Sequence, residues 1–501
     1  MQKKEIDTLT SRLAKTQDES RSNLIEKRFK KNFLTARQNL INLVDQNTFV
    51  EYGQLVIAAQ KNRINPSEIV EKTAADGVIT GFGKVNSHLF NKESCKVAII
   101  INDFTVLAGT QGFFHHKKID RIIKKATMEN IPVIIFTEGG GGRPGDTDVK
   151  INNSWLNFDT FEIWAAEECP LKIAITNGYC FAGNAALFGC ADFKIATEES
   201  WIGMAGPSMI EGAGLGKFHP KEIGPCAIQS KNGLIDIVVK NETEASNVSK
   251  QLISYFQGNL KKKVQAANQN AISRILPNDR RRVYDIKKII NIVFDKNSFL
   301  ELKKDFGKSI IIGFARIDGI PVSLVASNCM HLSGAIDADA ADKVTEFYSI
   351  LNKLNLPLII LGDTPGFMVG PESEKRNTVK KNSDLFKKSS SLKIPMICVI
   401  LRKAYGLGIQ SLVGGSFKKP KYICAWPGAE FGAMGNEGAV KLGFKKEIES
   451  LKSNFEKEKF IKEKIDEIYS NGTAIEIATN FEIDEVIMPY ETREKITKLL
   501  M

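Results

Sequence analysis

The second half of this chain repeats its first half, and that constrains its fold more than any other feature. Asp45-Gln46-Asn47-Thr48-Phe49-Val50-Glu51 recurs as Asp295-Lys296-Asn297-Ser298-Phe299-Leu300-Glu301. Thr80-Gly81-Phe82-Gly83 recurs as Ile312-Gly313-Phe314-Ala315, and Ile131-Pro132-Val133-Ile134-Ile135 as Leu356-Pro357-Leu358-Ile359-Ile360. Tyr179 with Ala182-Gly183 parallels Tyr405 with Leu407-Gly408, and Trp201 to Gly206 parallels Glu430 to Gly435 more loosely. The offsets of 250, 232, 225, 226 and 229 residues preserve order while loop lengths differ. Five matches in one order indicate duplication, and two long copies mean paired domains rather than a solenoid. Paired domains can present two similar binding loops, which suits a reaction between two carriers.

The 501 residues accommodate two or three domains with sizeable cores. Apolar residues make up 43% and charged residues 25%, the balance of a soluble globular protein. No apolar run reaches the roughly 18 residues that span a bilayer. The start, Met1 to Asp7, lacks the apolar core of a signal peptide, so a cytoplasmic protein is expected. The net charge of +11 is spread over mixed runs such as Lys445-Lys446-Glu447-Ile448-Glu449. Such runs read as solvated helix surface or as attraction for an anionic substrate. No RNA-binding or zinc-finger signature suggests nucleic acid. The eight cysteines form no Cys-x-x-Cys pair, so reduced, buried thiols are expected. The five histidines show no metal-ligand spacing, and no metal is expected.

Residues 1–48 are polar, with apolar residues at helical spacing, and are predicted to form a helical lead-in. The first domain is placed at 49–258, a link at 259–284, and the second domain at 285–501. Predicted strands include Lys96 to Ile101, Ile131 to Phe136, Leu171 to Ile175, Ile310 to Ile312, Pro321 to Ala326, Pro357 to Leu361 and Pro395 to Leu401. Helices are predicted at Lys117 to Glu129 and across Lys445 to Lys464. This alternation predicts an α/β layered fold.

Four glycine-rich places are candidate ligand loops: Leu107 to Gly112, Glu138 to Gly145, Phe181 to Asn184, and Tyr405 to Gly408. Glycine lets a ligand approach backbone N–H groups, and a turn opening a helix offers such groups to an oxyanion. Taken singly, each also reads as a tight turn. The last two hold the same place in both copies.

The run Asn177-Gly178-Tyr179-Cys180-Phe181-Ala182-Gly183-Asn184 resembles the crotonase superfamily. A narrower resemblance lies in Ala75 to Gly81, Asp103 to Gly109 with His115 and Lys117-Lys118-Ile119, Thr364-Pro365-Gly366-Phe367, Arg402 to Gly406 and Ala425-Trp426-Pro427. Together these are similar to the carboxyltransferase (beta) subunit of biotin-dependent acyl-CoA carboxylases, over about residues 35 to 440. The resemblance implies two tandem crotonase-like domains of the ββα superhelix type. Acyl-CoA would lie on the first and carboxybiotin, carried by a separate chain, on the second. It also implies a homo-hexameric core whose active sites form between the first domain of one subunit and the second of another. Loss of CO2 would leave a basic biotin anion to remove the α-proton of the acyl-CoA, so no dedicated protein base is needed.

By position, the resemblance assigns backbone N–H donors at Ala182 and Gly183 to the thioester enolate, and at Leu407 and Gly408 to the biotin ureido oxygen. Ala182 and Leu407 stand where glycine is frequent in the family. Ala108, Gly109, Gly140 and Gly141 are expected to bind CoA. Arg143 reads either as a contact to a CoA phosphate or as a surface ion pair. Gln410 falls where the family tunes acyl size. Asp337, Asp339 and Asp342 read as metal ligands or, more simply, as helix capping and solvation.

No Ala-Met-Lys-Met biotin attachment motif occurs in the sequence, nor space for an ATP-grasp domain beside the two copies. A separate biotin carboxylase and biotin carrier are therefore expected as partners. An acyl-CoA decarboxylase subunit, running the half-reaction backwards, and a non-catalytic basic binding protein are the alternatives.

Overall fold

The computed structural model describes residues 2–149, 156–260, 264–279 and 282–501. The chain forms two compact units, Met1–Gln257 and Gly258–Met501.

In the first unit the strands are β1 (Val50–Glu51), β2 (Val78–Lys84), β3 (Lys96–Asn102), β4 (Val133–Phe136), β5 (Lys172–Thr176), β6 (Tyr179–Phe181), β7 (Phe193–Thr197), β8 (Trp201–Gly203) and β9 (Ile237–Val239). Seven of them make one sheet in the order β1-β2-β3-β4-β5-β7-β9, while β6 and β8 pair separately. The β1/β2 and β2/β3 pairs are antiparallel and the remaining neighbours in the sheet are parallel. Continuous apolar runs such as Val97 to Ile101 suit strands buried on both faces.

The second unit has β10 (Leu300–Leu302), β11 (Ile310–Ile317), β12 (Ile320–Ser327), β13 (Leu358–Thr364), β14 (Met396–Tyr405), β15 (Tyr422–Ala425), β16 (Glu430–Gly432) and β17 (Glu485–Val486). Its sheet order is β10-β11-β12-β13-β14-β15-β17, with β16 on the far end of β14. This is the first unit's topology, with one difference. The single strand β14 does the work of β5 and β6 together. In the first unit that run breaks at Gly178, whose φ of 109° no other residue adopts readily. In the second it continues through a bulge at Leu401 to Lys403.

The repeat explains itself at atomic distances. A Cβ on Gly81 would sit 2.2 Å from the Val50 carbonyl, and one on Gly313 would sit 2.1 Å from the Leu300 carbonyl. Each edge strand therefore crosses its neighbour where only glycine fits. Lys118 lies on the helix Phe113–Met128 and Lys343 on the helix Ala338–Leu354, both buried. Lys118 Nζ donates to the Ala75 and Val78 carbonyls, and Lys343 Nζ to those of Phe306 and Ile310. Each lysine staples its helix to the turn before the second strand of its sheet. Burial lowers the Lys118 ammonium to about 8 and that of Lys343 to about 7.

A testable consequence has a definite sign. Between a pH of about 7 and the ordinary lysine range, the unfolded chain holds a proton that folded Lys343 has released, so its contribution to stability rises with pH. Thermal unfolding between about pH 7 and 10 should show this rise, and Lys343→Met should lose it. The variant should also be less stable throughout, because two buried carbonyls lose their donor at about 1–3 kcal/mol each.

The residues predicted as a lead-in form the helices Gln2–Ala14, Ser22–Phe29 and Ala36–Leu43, the last opened by a capping box between Thr35 and Gln38. Within the predicted link, Lys261, Lys262, Lys263, Arg280 and Arg281 lie outside the described residues. Ile272, in the same link, is fully buried in the core of the second unit, so this segment packs as part of that core. The helix predicted across Lys445 to Lys464 is two helices, Lys445–Ser450 and Asn454–Asn471. Ser453 divides them by capping the second one reciprocally with Glu456. Among the described residues no helix is long and apolar enough to cross a membrane. Seven cysteines are buried, Cys190 is exposed, and all eight are free thiols.

Candidate functional site

Three chain segments converge in the first unit. The turn Leu107–Gly109 carries φ values of 50°, 55° and 62°. Its neighbours are the loop Gly139 to Gly142 and the turn at Ala182, where φ is 51°. Gln111 ties the first two together: its N–H donates to the Gly141 carbonyl at 2.7 Å, and its carbonyl accepts from Arg143 N–H at 2.9 Å. Gly140 N–H adds a bond to the Ala108 carbonyl at 3.2 Å. Asn184 closes the third side. Fully buried, it accepts from Gly141 N–H at 2.9 Å and donates to the carbonyls of Thr137 and Gly109 at 3.1 and 3.3 Å.

The second unit repeats this construction. Leu332–Gly334 has φ values of 49°, 53° and 84°. Ile336 N–H donates to the Gly366 carbonyl at 3.0 Å, and Met368 N–H to the Ile336 carbonyl at 2.8 Å. Thr364 to Phe367 thus stands where Gly139 to Gly142 stands in the first unit. Glu138 and Asp363 hold the same place ahead of these loops. Glu138 is clamped by Arg28 at 2.5 and 3.1 Å. Asp363 accepts from Arg402 Nε at 3.2 Å and from Lys403 N–H at 3.1 Å.

The strand ladders set the register of the two turns, and it differs from the one read in the sequence. Phe181 pairs with Gly203 at the end of β6, and Tyr405 with Gly432 at the end of β14. The residue after each has positive φ: Ala182 at 51° and Gly406 at 58°. Ala182 therefore corresponds to Gly406, and Gly183 to Leu407. The sequence alignment was one residue off, because Tyr179 matches Tyr405 in type but not in the ladder.

This register bears on two of the implied donors, Ala182 and Gly408. Ala182 N–H is already engaged by the Gly203 carbonyl at 2.9 Å, and the N–H of Gly183 has no backbone acceptor among the described residues. Leu407, the counterpart of Gly183, likewise has no backbone carbonyl on its N–H among the described residues, and it is 59% exposed. Gly408 is buried, and a Cβ there would lie 2.7 Å from the Gly366 Cα. It packs the helix Gly406–Leu412 on the loop Thr364 to Phe367. Gly408→Ala should cost about 1–3 kcal/mol by overpacking, seen as a lower unfolding temperature.

Of the residues expected to bind CoA, Ala108 and Gly140 are exposed, while Gly109 and Gly141 are buried between the loops. Arg143 departs from both of its sequence readings. It is 5% exposed and its guanidinium is taken up by Asp76 and Asp146, both fully buried, so neither a phosphate nor the surface is its partner. Burial raises Asp76 to about 6 against the opposing effect of Arg143. Gln410 is half-buried on the helix Gly406–Leu412. The acidic cluster is capping and ion pairing: Asp337 accepts Ala340 N–H at 3.0 Å, Asp339 pairs with Arg376 and Asp342 with Lys381, each at 2.6 Å.

Sequence reasoning passed over Arg28 and the turn Leu332–Gly334, and it named Asn184 only as the end of a glycine-rich loop. The turn was within reach, because the 225-residue offset that matches Ile131 to Leu356 also carries Leu107 onto Leu332. Nothing local in the sequence pairs Arg28 with Glu138, 110 residues away.

The chain matches the carboxyl transferase domain over residues 27–500. It is 29% identical over 487 residues to the methylmalonyl-CoA carboxyltransferase 12S subunit of Propionibacterium freudenreichii subsp. shermanii, covering 95% of this chain and 90% of that one. A single-chain, multi-domain long-chain acyl-CoA carboxylase superposes with a TM-score of 0.92 at 40% identity. That match takes in 99% of this chain and 48% of the other, so the chain spans about half the length of that enzyme. A transcarboxylase 12S structure, a hexamer with methylmalonyl-coenzyme A and methylmalonic acid bound, superposes at 0.82 with 27% identity, over 95% of this chain and 91% of the other. The fold is accordingly the tandem crotonase-like α/β architecture. By its repeated topology, its paired turns and a match across nearly its whole length, the chain belongs to the carboxyl transferase domain family.

Proposed function

We propose that this chain is the carboxyltransferase subunit of a biotin-dependent acyl-CoA carboxylase. It moves CO2 from carboxybiotin on a separate carrier chain to the α-carbon of an acyl-CoA. The observation that carries this reading is the duplicated cradle. In each unit a strand-to-helix turn carries, at Gly183 and at Leu407, an N–H with no backbone acceptor among the described residues.

Gly183 N–H supports the enolate oxygen of the thioester, and the Leu107–Gly109 turn and Gly140 line the CoA side of that cradle. Leu407 N–H holds the ureido oxygen of biotin, a fit supported by its open turn and solvent-facing side chain. Carboxybiotin supplies the activated CO2 and, once that is lost, the base. Asn184 and Gln111 hold the first cradle rigid, so its dipole is aimed before substrate arrives. Gln410, three residues beyond Leu407, borders the acyl group. A homo-hexameric core in the cytoplasm, served by a biotin carboxylase and a biotin carrier subunit, completes the assembly. The relatives named as carboxylases favour this direction over decarboxylation.

Purified chain, a carboxylated biotin carrier and a panel of acyl-CoAs from acetyl to long-chain test the proposal. Carboxylated acyl-CoA should form from at least one member. The 40% likeness to a long-chain acyl-CoA carboxylase favours the long-chain end. No product with any member overturns the reading.

A further inference from the structure

His116 is fully buried in the first turn of the helix Phe113–Met128, and its two ring nitrogens face different partners. Nδ1 lies 2.7 Å from the Asn157 carbonyl, and Nε2 lies 3.2 Å from the side-chain amide of Gln111. A carbonyl oxygen only accepts, so Nδ1 carries a proton. Burial lowers the ring to about 4, so near neutral pH that proton is its only one and Nε2 is an acceptor. Gln111 therefore turns its amide NH2 toward His116 and its carbonyl oxygen away. The preceding His115 takes no part, since its Nδ1 faces the Asp76 carbonyl at 3.2 Å.

Gln111 is also fully buried, and its side chain fills the space beside Gly183. A Cβ on Gly183 would overlap the Gln111 amide and come within 2.9 Å of the Phe161 ring. That ring in turn meets His116 edge-on, with centroids 5.6 Å apart and an interplanar angle of 90°. Gly183 has no side chain to fix its own turn. Its Cα rests on Gln111 and Phe161, and His116 touches both. Without an acceptor at His116, the buried amide loses the bond that sets its orientation.

We infer that His116 is a positioning residue for carboxyl transfer: through the Gln111 amide it fixes the turn whose Gly183 N–H receives the enolate oxygen. The inference rests on the acyl-CoA reading above and adds what aims that donor. An oxyanion donor is effective when it is aimed before charge develops, and a misplacement of about 1 Å can cost about a hundredfold in rate. His116 is buried and touches no substrate, so its effect falls on the enolate rather than on ground-state binding of the CoA arm.

Calorimetric titration of the full chain with two CoA analogues tests this apart from turnover. One analogue ends in a carboxylate in place of the thioester, a stable mimic of the enolate. The other is S-ethyl-CoA, which has no carbonyl. His116→Phe keeps a ring and removes the acceptor. It should weaken the carboxylate analogue by about tenfold and S-ethyl-CoA by less than about twofold. Gln111→Met should do the same, and the double variant should be no weaker than either single one, because both act through one bond. His116→Gln, whose amide oxygen reaches the place of Nε2, should recover affinity to within about threefold of wild type. In the transfer assay His116→Phe should lower kcat about tenfold and leave KM for acyl-CoA within about twofold. Equal loss of both analogues, additive losses in the double variant, unchanged affinity, or no recovery by His116→Gln overturns the inference alone. A wild-type chain that binds both analogues alike takes down the enolate role of Gly183 itself, and the inference with it.

Discussion

Leu407→Pro is expected to lower kcat for carboxyl transfer by about 10²–10³-fold, the usual cost of one oxyanion donor. Proline removes one N–H and little else at this position. Leu407 lies in the first turn of the helix Gly406–Leu412, where a proline ring is tolerated. Its side chain faces solvent, so its packing contribution is small. The preceding residue is Gly406, whose φ of 58° is already set by a glycine. Leu407→Ala keeps the N–H and should retain activity within about threefold. Matching circular dichroism and unfolding temperatures would separate loss of a donor from loss of the turn. Near wild-type rates in a folded Leu407→Pro enzyme would remove this turn from the mechanism. Ala182→Pro is a poor test by comparison, because φ at Ala182 is 51° and its N–H already serves Gly203.

Arg28→Met should destabilise the first unit by about 3–5 kcal/mol, the cost of stranding a buried charge. Arg28 is 8% exposed, bonds both oxygens of Glu138 and lies 4.0 Å from Glu242. Two carboxylates thus share one guanidinium, and burial pushes Glu138 up to about 7 even with Arg28 bound. Methionine would fill the volume and leave both acids without a cation. The unfolding temperature should fall by roughly 10 °C on the usual scaling for a unit of this size. Adding Glu138→Gln should recover part of the loss, which a double-mutant cycle reads as a coupling energy. Additive single effects would show that the contact contributes nothing of its own. Activity should fall with stability, since Glu138 adjoins the loop that forms one wall of the cradle.

The duplication was legible because it is written in residue types that have local reasons. Gly81 and Gly313 recur because an edge strand crosses each, and Lys118 and Lys343 because each staples a helix to a turn. Strand positions followed from apolar runs, although β11 and β14 extend beyond the predicted segments. The continuation of β14 begins with Arg402 and Lys403, polar residues held in the strand by pairing with Asp363 rather than by apolar character. Three of the glycine-rich segments come together in the first unit, but which of their N–H groups are engaged was not legible in the sequence.

Composition, order and periodicity therefore settle that there are two α/β units of one topology, each with glycine-bearing turns at matching places. These properties follow from local sterics and apolar patterning, which any stretch of chain carries with it. Which N–H groups remain free, why Arg143 turns inward to Asp76, and how Arg28 reaches Glu138 depend on residues tens to more than a hundred positions apart. A hydrogen-bond ladder admits one register, and a slip of one residue exchanges an engaged amide for an open one. Only the folded backbone makes that choice, because only there do Phe181 and Gly203, or Tyr405 and Gly432, stand opposite each other.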